Sequence, residues 1–285
     1  MAGFVVLIVG VVTAFDIAFG YGPVWIVVAF VVAMLLTWGA YFKSDAIALR
    51  ASRARPASRE EFARYHNLVD GLCIAGGLEK PRLYIVDDPA PNAFATGRNP
   101  KHAALAVTTG LLEKMNRVEL EGVLAHELSH VKNYDILVST IAVTMVGVVA
   151  LLADLGFRMM WLGGGRRRSN NSGGAAGGLL LVFALIMLVL APIIARIMQF
   201  AVSRQRELLA DASGVQLTRY PPGLISALEK LKEDQTVVRS ATKATAQLWI
   251  ESPLDEEEGH KQAKMNRLFQ THPPLEERIR ILEEM

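Results

Sequence analysis

A single cysteine, Cys73, in a chain of 285 residues excludes any internal disulfide framework and agrees with a reducing compartment. It falls in an amphipathic stretch and is expected in the core. Histidine is almost as scarce, with six in all, so an ordered pair of them carries information. No internal repeat of solenoid length is evident, which excludes a stacked-repeat architecture. The first apolar run has no basic segment ahead of it and no small-x-small site after it, which argues against a cleaved signal peptide. No nucleic-acid partner is expected.

What the chain does have is apolar length. It is 52% hydrophobic with a mean hydropathy of +0.29, yet its 30 basic and 28 acidic residues are segregated from the apolar runs. That is the composition of a soluble domain tied to membrane segments. Phe4 to Phe19 and Val24 to Phe42 are two such runs, joined by the turn cluster Gly20-Tyr21-Gly22-Pro23 into a helical hairpin. Ile136 to Phe157 and Leu179 to Val202 follow, each long enough at about 1.5 Å per residue to cross a hydrocarbon core of roughly 30 Å. The expected fold class is a mainly α membrane protein with four transmembrane helices and a small α+β domain. Lys43, Arg50, Arg53 and Arg55 place the end of the second run in the cytoplasm by the positive-inside rule. Arg158 and Arg166-Arg167-Arg168 resist this topology, because it puts their loop outside. That loop is glycine-rich over 163–178 and expected to be flexible, and runs that only partly penetrate are the alternative. Asp16 and Asp154 fall near the far ends of their helices and are expected at the interface.

The remaining segments divide accordingly. Residues 1–42 form the N-terminal hairpin, 43–135 the first part of a catalytic domain, 136–202 the second hairpin and 203–285 the second part of that domain. Ser58 with Glu61 reads as a capping box for a helix from about Arg59 to Ala75, with Phe62, Tyr65, Leu68, Val69 and Leu72 as its apolar stripe. Arg82 to Val86 and His102 to Thr108 read as strands, with Asp87 to Pro100 a loop between them. Asn116 with Glu119 forms a second capping box, opening a helix from Arg117 to about Tyr134. Helices are expected again over Arg204 to Leu217, over Pro222 to Glu233 and after Pro273-Pro274. The acidic stretch Asp255-Glu256-Glu257-Glu258 reads as a solvated loop.

The second of these helices carries the chemistry. His126-Glu127-Leu128-Ser129-His130 is an H-E-x-x-H sequence, and histidines four residues apart project from one helical face, where they can grip one zinc ion. Glu127 is placed to act as general base. A catalytic zinc needs a third protein ligand with one position left open. The fourth apolar run returns to the same side near Val202, so Glu207 lies at a depth comparable to the histidines. Asp211, one turn further along that face, can accept a hydrogen bond from a ligand histidine. A surface helix with two unrelated carboxylates is the competing reading.

Several segments in order, Asn92 to Pro100, Val107 to Leu112, Ala125 to Asp135, Ser203 to Glu207 with Ala210 and Asp211, and Thr271 to Pro274, resemble the M48 membrane zinc peptidases of the gluzincin type, including their bacterial heat-shock-associated members. The resemblance covers most of the chain. It implies a zincin-like catalytic domain, one Zn²⁺ per chain held by His126, His130 and Glu207, Asp211 behind the ligands, and Asn92 and His272 as donors to the carbonyl oxygen. Read from the residues alone, Asn92 beside Pro91 and His272 before Pro273 are also good turn and helix-approach chemistry. Asn133 and Asp135 match the family pattern with only local roles assigned.

The expected reaction is peptide-bond hydrolysis without a covalent intermediate. Substrate is expected to pair as an extended strand along an edge formed by His102, Ala103, Ala104, Leu105, Ala106 and Val107. The resemblance further implies misfolded or damaged membrane proteins as substrates, and a multi-pass place in the bacterial inner membrane with the catalytic domain facing the cytoplasm. A processing peptidase for prenylated C-termini, a non-catalytic metal-binding membrane scaffold and a metal transporter are the alternatives. A transporter would hold its ligands near the bilayer midplane, whereas these flank the apolar runs.

Overall fold

The structure is a computed structural model and describes residues 24–141, 204–234, 236, 249–250 and 273–285. Its contacts divide the chain into two units, 1–43 with 144–197 and 44–143 with 198–285. Of the first unit, the described part belongs to helix α1, Val24–Ala51. Val24, Val27, Val31, Met34, Leu35, Trp38 and Phe42 stand exposed along it. Among the described residues no helix is long and apolar enough to cross a membrane. The runs 4–19 and 179–202 lie outside the described residues, as does most of 136–157.

The second unit is built on a four-stranded sheet in the order β1-β2-β4-β3, where β1 is Arg55–Pro56, β2 Arg82–Val86, β3 Ala93–Gly97 and β4 Ala103–Thr108. β2 and β4 run parallel, and the outer pairs are antiparallel. Alternation along the strands sorts the two faces. Leu83, Ile85, Ala93, Ala95, Leu105 and Val107 enter the main core. Val86, Phe94, Ala104 and Ala106 enter a smaller one with Ala48, Leu49 and Trp249.

Two expectations about this sheet are corrected. β4 is central, with Leu105 in register with Leu83 of β2 on one side and Ala95 of β3 on the other. Ala104, Leu105, Ala106 and Val107 are therefore buried and paired on both sides, Ala103 is buried and paired with Gly97 of β3, and they offer a substrate no edge. His102 is not in the strand. It closes a 3₁₀ turn, Pro100–His102, whose start is capped by the Asn99 side chain, and its ring bonds Asn99 Oδ1 at 2.8 Å. The strand that flanks β4 at this edge of the sheet is β3, inside the stretch expected to be loop. Its outward side meets the chain's own groups, since Ile250 N–H donates to Ala93 O at 3.0 Å and Gly97 N–H to Thr140 Oγ1 at 3.2 Å.

Helices cover the main core. α2 is Ala63–Gly76, α3 Thr109–Lys114, α4 Arg117–Lys132, α5 Arg204–Thr218, α6 Pro221–Glu233 and α7 Leu275–Glu283. α2 begins four residues later than expected, because Ser58 Oγ caps only a turn by accepting from Glu61 N–H, and Phe62 at the helix boundary makes no side-chain cap. The Asn116 and Glu119 capping box at α4 is present in full. Nearly every residue of α4 from Glu119 to Val131 is buried, so it is a helix surrounded on all sides rather than one with a single apolar stripe. The helical segment 135–141 buries Ile136 and Thr140, so the start of the third apolar run belongs to this unit.

Candidate active site

α4 brings His126 and His130 onto one face, with Nε2 to Nε2 at 3.1 Å. α5 crosses it closely. A Cβ on Gly214 would lie 3.0 Å from His126 N and 3.2 Å from its Cα, closer than side chains ordinarily pack against backbone, so glycine lets the two helices approach this far without either shifting. The crossing delivers Glu207 and Asp211, one turn apart and both buried.

Glu207 lies between the imidazoles, with Oε2 at 3.7 Å from His126 Nε2 and Oε1 at 3.5 Å from His130 Nε2. These donor atoms all fall within 4.8 Å of one another. Donors about 2.0–2.2 Å from a tetrahedral zinc stand roughly 3.4 Å apart, and the three separations bracket that value. The chemistry of the set agrees. Two facing imidazole nitrogens need a proton or a cation between them. Burial works against a charged His130, yet Glu207, then Asp135 and Glu127, overcome it and push its pKa up to about 9. A buried pocket that gathers carboxylates around two facing imidazoles is a pocket suited to a divalent cation.

Behind each imidazole stands a carboxylate. His126 Nδ1 donates to Asp211 Oδ1 at 2.8 Å, and His130 Nδ1 to Asp135 Oδ2 at 3.1 Å. Each fixes the tautomer that leaves Nε2 as the free electron pair. Asp135 reaches His130 because α4 stops at Lys132 and Tyr134 takes a left-handed turn at φ 62°, a conformation costing a non-glycine residue about 1–3 kcal/mol. Burial opposes the charge on Asp211, but Arg278 and His126 hold its pKa well below the usual carboxylate range.

Glu127 is buried between the two histidines in sequence, and its charge is felt by His130, Arg278 and Tyr65. Tyr65 is wholly buried on α2, donating to Leu105 O at 3.0 Å, and burial, then Glu127, push its pKa well above the phenol range. Asn92 is buried at the start of β3, where its N–H donates to Thr108 Oγ1 at 2.9 Å and its Oδ1 accepts from Ala93 N–H at 3.0 Å. His272 lies outside the described residues.

Residues 59–285 match the profile of peptidase family M48. The chain belongs to peptidase family M48. As an M48 member it is a metallopeptidase, a hydrolase of peptide bonds. Curated relatives named Protease HtpX homolog are similar over nearly its whole length. That of Caldanaerobacter subterraneus subsp. tengcongensis is 44% identical over 267 residues, covering 94% of this chain and 87% of the relative. That of Streptococcus mutans is 46% identical over 261 residues, covering 90% and 85%. Among solved structures, Ste24p of S. mikatae shares the fold at a TM-score of 0.52 and 17% identity, over 96% of this chain and 62% of that one.

Two participants in this M48 site have roles that the sequence reading does not assign. Asp135 carried a detectable signal, since a ligand histidine wants a carboxylate partner and Asp135 follows His130 closely. Arg278 carried none. It sits on the polar-looking terminal helix α7, yet it is fully buried, donating to Asp211 through Nε at 2.8 Å and Nη2 at 2.6 Å.

Proposed function

We propose that this metallopeptidase is a zinc-dependent endopeptidase of the bacterial inner membrane that cleaves misfolded or damaged membrane proteins. The convergence of His126, His130 and Glu207, at separations suited to a tetrahedral ion, is the observation that carries the zinc reading. Bound there, zinc supplies Lewis-acid polarisation of the scissile carbonyl and a strongly acidified water. Glu127 takes a proton from the attacking water and hands it to the departing amine. Asp211 and Asp135 orient the two imidazoles. Asn92 and His272 serve the developing oxyanion. Because the Asn92 carboxamide oxygen accepts from Ala93, its NH₂ is the end that donates.

Membrane placement is supported by the four apolar runs, by the exposed apolar side chains of α1 and by the extended resemblance to the HtpX homologues. Lys43, Arg50, Arg53 and Arg55 support a cytoplasmic catalytic domain. The division into two hairpins and a two-part catalytic domain follows the same reading.

Casein digestion in detergent tests the chemistry. Glu127→Gln is expected to lower turnover by about 10²–10⁴-fold while one zinc per chain remains bound, and Glu207→Ala to lose both zinc and activity. Retained proteolysis in Glu127→Gln would refute the assigned base and favour a scaffold that merely holds metal.

A further inference from the structure

We propose that Arg278 is a positioning residue of the metal site, acting through Asp211 to fix the His126 tautomer that turns Nε2 toward His130 and Glu207; this rests on reading those three side chains as the metal donors. The guanidinium fork occupies both oxygens of Asp211, Nε on Oδ2 at 2.8 Å and Nη2 on Oδ1 at 2.6 Å. A carboxylate gripped in this way has its plane set by the rigid fork. Oδ1 then has one direction left, and His126 Nδ1 fills it at 2.8 Å. Nη2 also lies 3.3 Å from His126 Nδ1. The same Nη2 is 3.5 Å from Nε2; an N–H nearly equidistant from the two ring nitrogens points along neither lone pair, and Nδ1 has turned its own proton toward Asp211, so this approach is packing rather than a hydrogen bond. The work of Arg278 on the ring therefore passes through the carboxylate.

Charge balance points the same way. Nη1 is buried with no hydrogen-bond partner and stands 3.7 Å from Glu207 Oε2, too far to bond it but near enough to offset its charge. Glu127, Glu207 and Asp211 bury three carboxylates around one guanidinium, leaving two negative charges that one divalent cation balances. Asp135 has a cation of its own in Arg206, at 3.7 Å. Lysine at 278 would keep the charge but offer a single point donor in place of the fork.

The test uses the full chain in detergent, with zinc affinity from chelator competition and the d–d spectrum of the cobalt-substituted protein. Arg278→Lys and Arg278→Met are expected to lose about 10–100-fold in zinc affinity, the range for residues orienting ligands, and to change the cobalt spectrum. Asp211→Asn falls in the same range. The double variant Arg278→Met with Asp211→Asn is expected to be no weaker than Asp211→Asn alone, because both changes break one linkage. Losses that multiply in the double variant overturn the proposal, as does wild-type affinity and spectrum in Arg278→Lys, which keeps the buried charge and folds even where Arg278→Met does not. His130→Ala separates the two levels. If it loses zinc while Arg278→Lys does not, the role of Arg278 alone falls. If it binds zinc like the wild type, the donor set falls and this proposal with it.

Discussion

Two imidazole nitrogens 3.1 Å apart inside a helical bundle do not coexist without something positive between them, and the surrounding side chains are arranged for that condition. Asp135 is the partner most open to test, because it lies beside the site rather than deep within it. Asp135→Asn keeps the shape but weakens the acceptor for His130 Nδ1. Its zinc affinity is expected to fall by about 10–100-fold with the circular dichroism spectrum unchanged, as equilibrium dialysis would show. At this scale sequence is informative only where partners are local. His126, Glu127 and His130 share one helical face by spacing alone, and Glu207 with Asp211 follows the same rule. Arg278 meets Asp211 across 67 residues, and nothing in the surrounding Leu275–Glu283 segment distinguishes a buried guanidinium from the exposed one expected on an amphipathic helix.

Among the elements, α4 is the one on which the rest depends, and its first turn sets its stability. Glu119 is buried. That burial works to raise its pKa, but hydrogen bonds from Lys230, the Asn116 N–H and Ser226 outweigh it and hold the carboxyl below its ordinary 4.5. A carboxylate lowered on folding contributes stability above its ordinary value and loses that contribution as pH falls through the folded value. Glu119→Gln is expected to cost about 1–2 kcal/mol at neutral pH and to flatten the acid side of the stability profile, read from urea midpoints at pH 7 and pH 3. Gly214 holds the other critical contact. Because a side chain there would meet the backbone of Ala125 and His126, Gly214→Val is expected to destabilise the protein by about 1–3 kcal/mol and to weaken zinc binding too, since Glu207 and Asp211 ride on the displaced helix. Thermal melts with and without zinc separate the two effects.

The helices were legible because caps and apolar spacing are local signals, and the Asn116 box is the clearest case. The sheet was less so. Ala93-Phe94-Ala95-Thr96-Gly97 has little strand character of its own and becomes a strand by pairing with β4. With β3 unrecognised, β4 took on the look of an edge.

For the whole molecule, metal and fold should be linked, because the donors come from two helices that an ion would tie together. An ion at 100 times its dissociation constant adds about 2.7 kcal/mol to stability. EDTA is therefore expected to lower the melting temperature of the wild type and to leave Glu207→Ala unmoved, measured by scanning fluorimetry in detergent. Equal shifts in both proteins would mean that the ion binds elsewhere.

Helix α7 gives the assembly a temporal order. A chain emerging from the ribosome completes the histidine pair near residue 130 and the acidic pair near 211 before Arg278 is made. Until then the Asp211 carboxylate has no fork to steady it, and the metal pocket is unfinished. If Arg278 positions the site as proposed, a chain halted short of residue 278 is expected to grip zinc about 10–100-fold less tightly than the finished one.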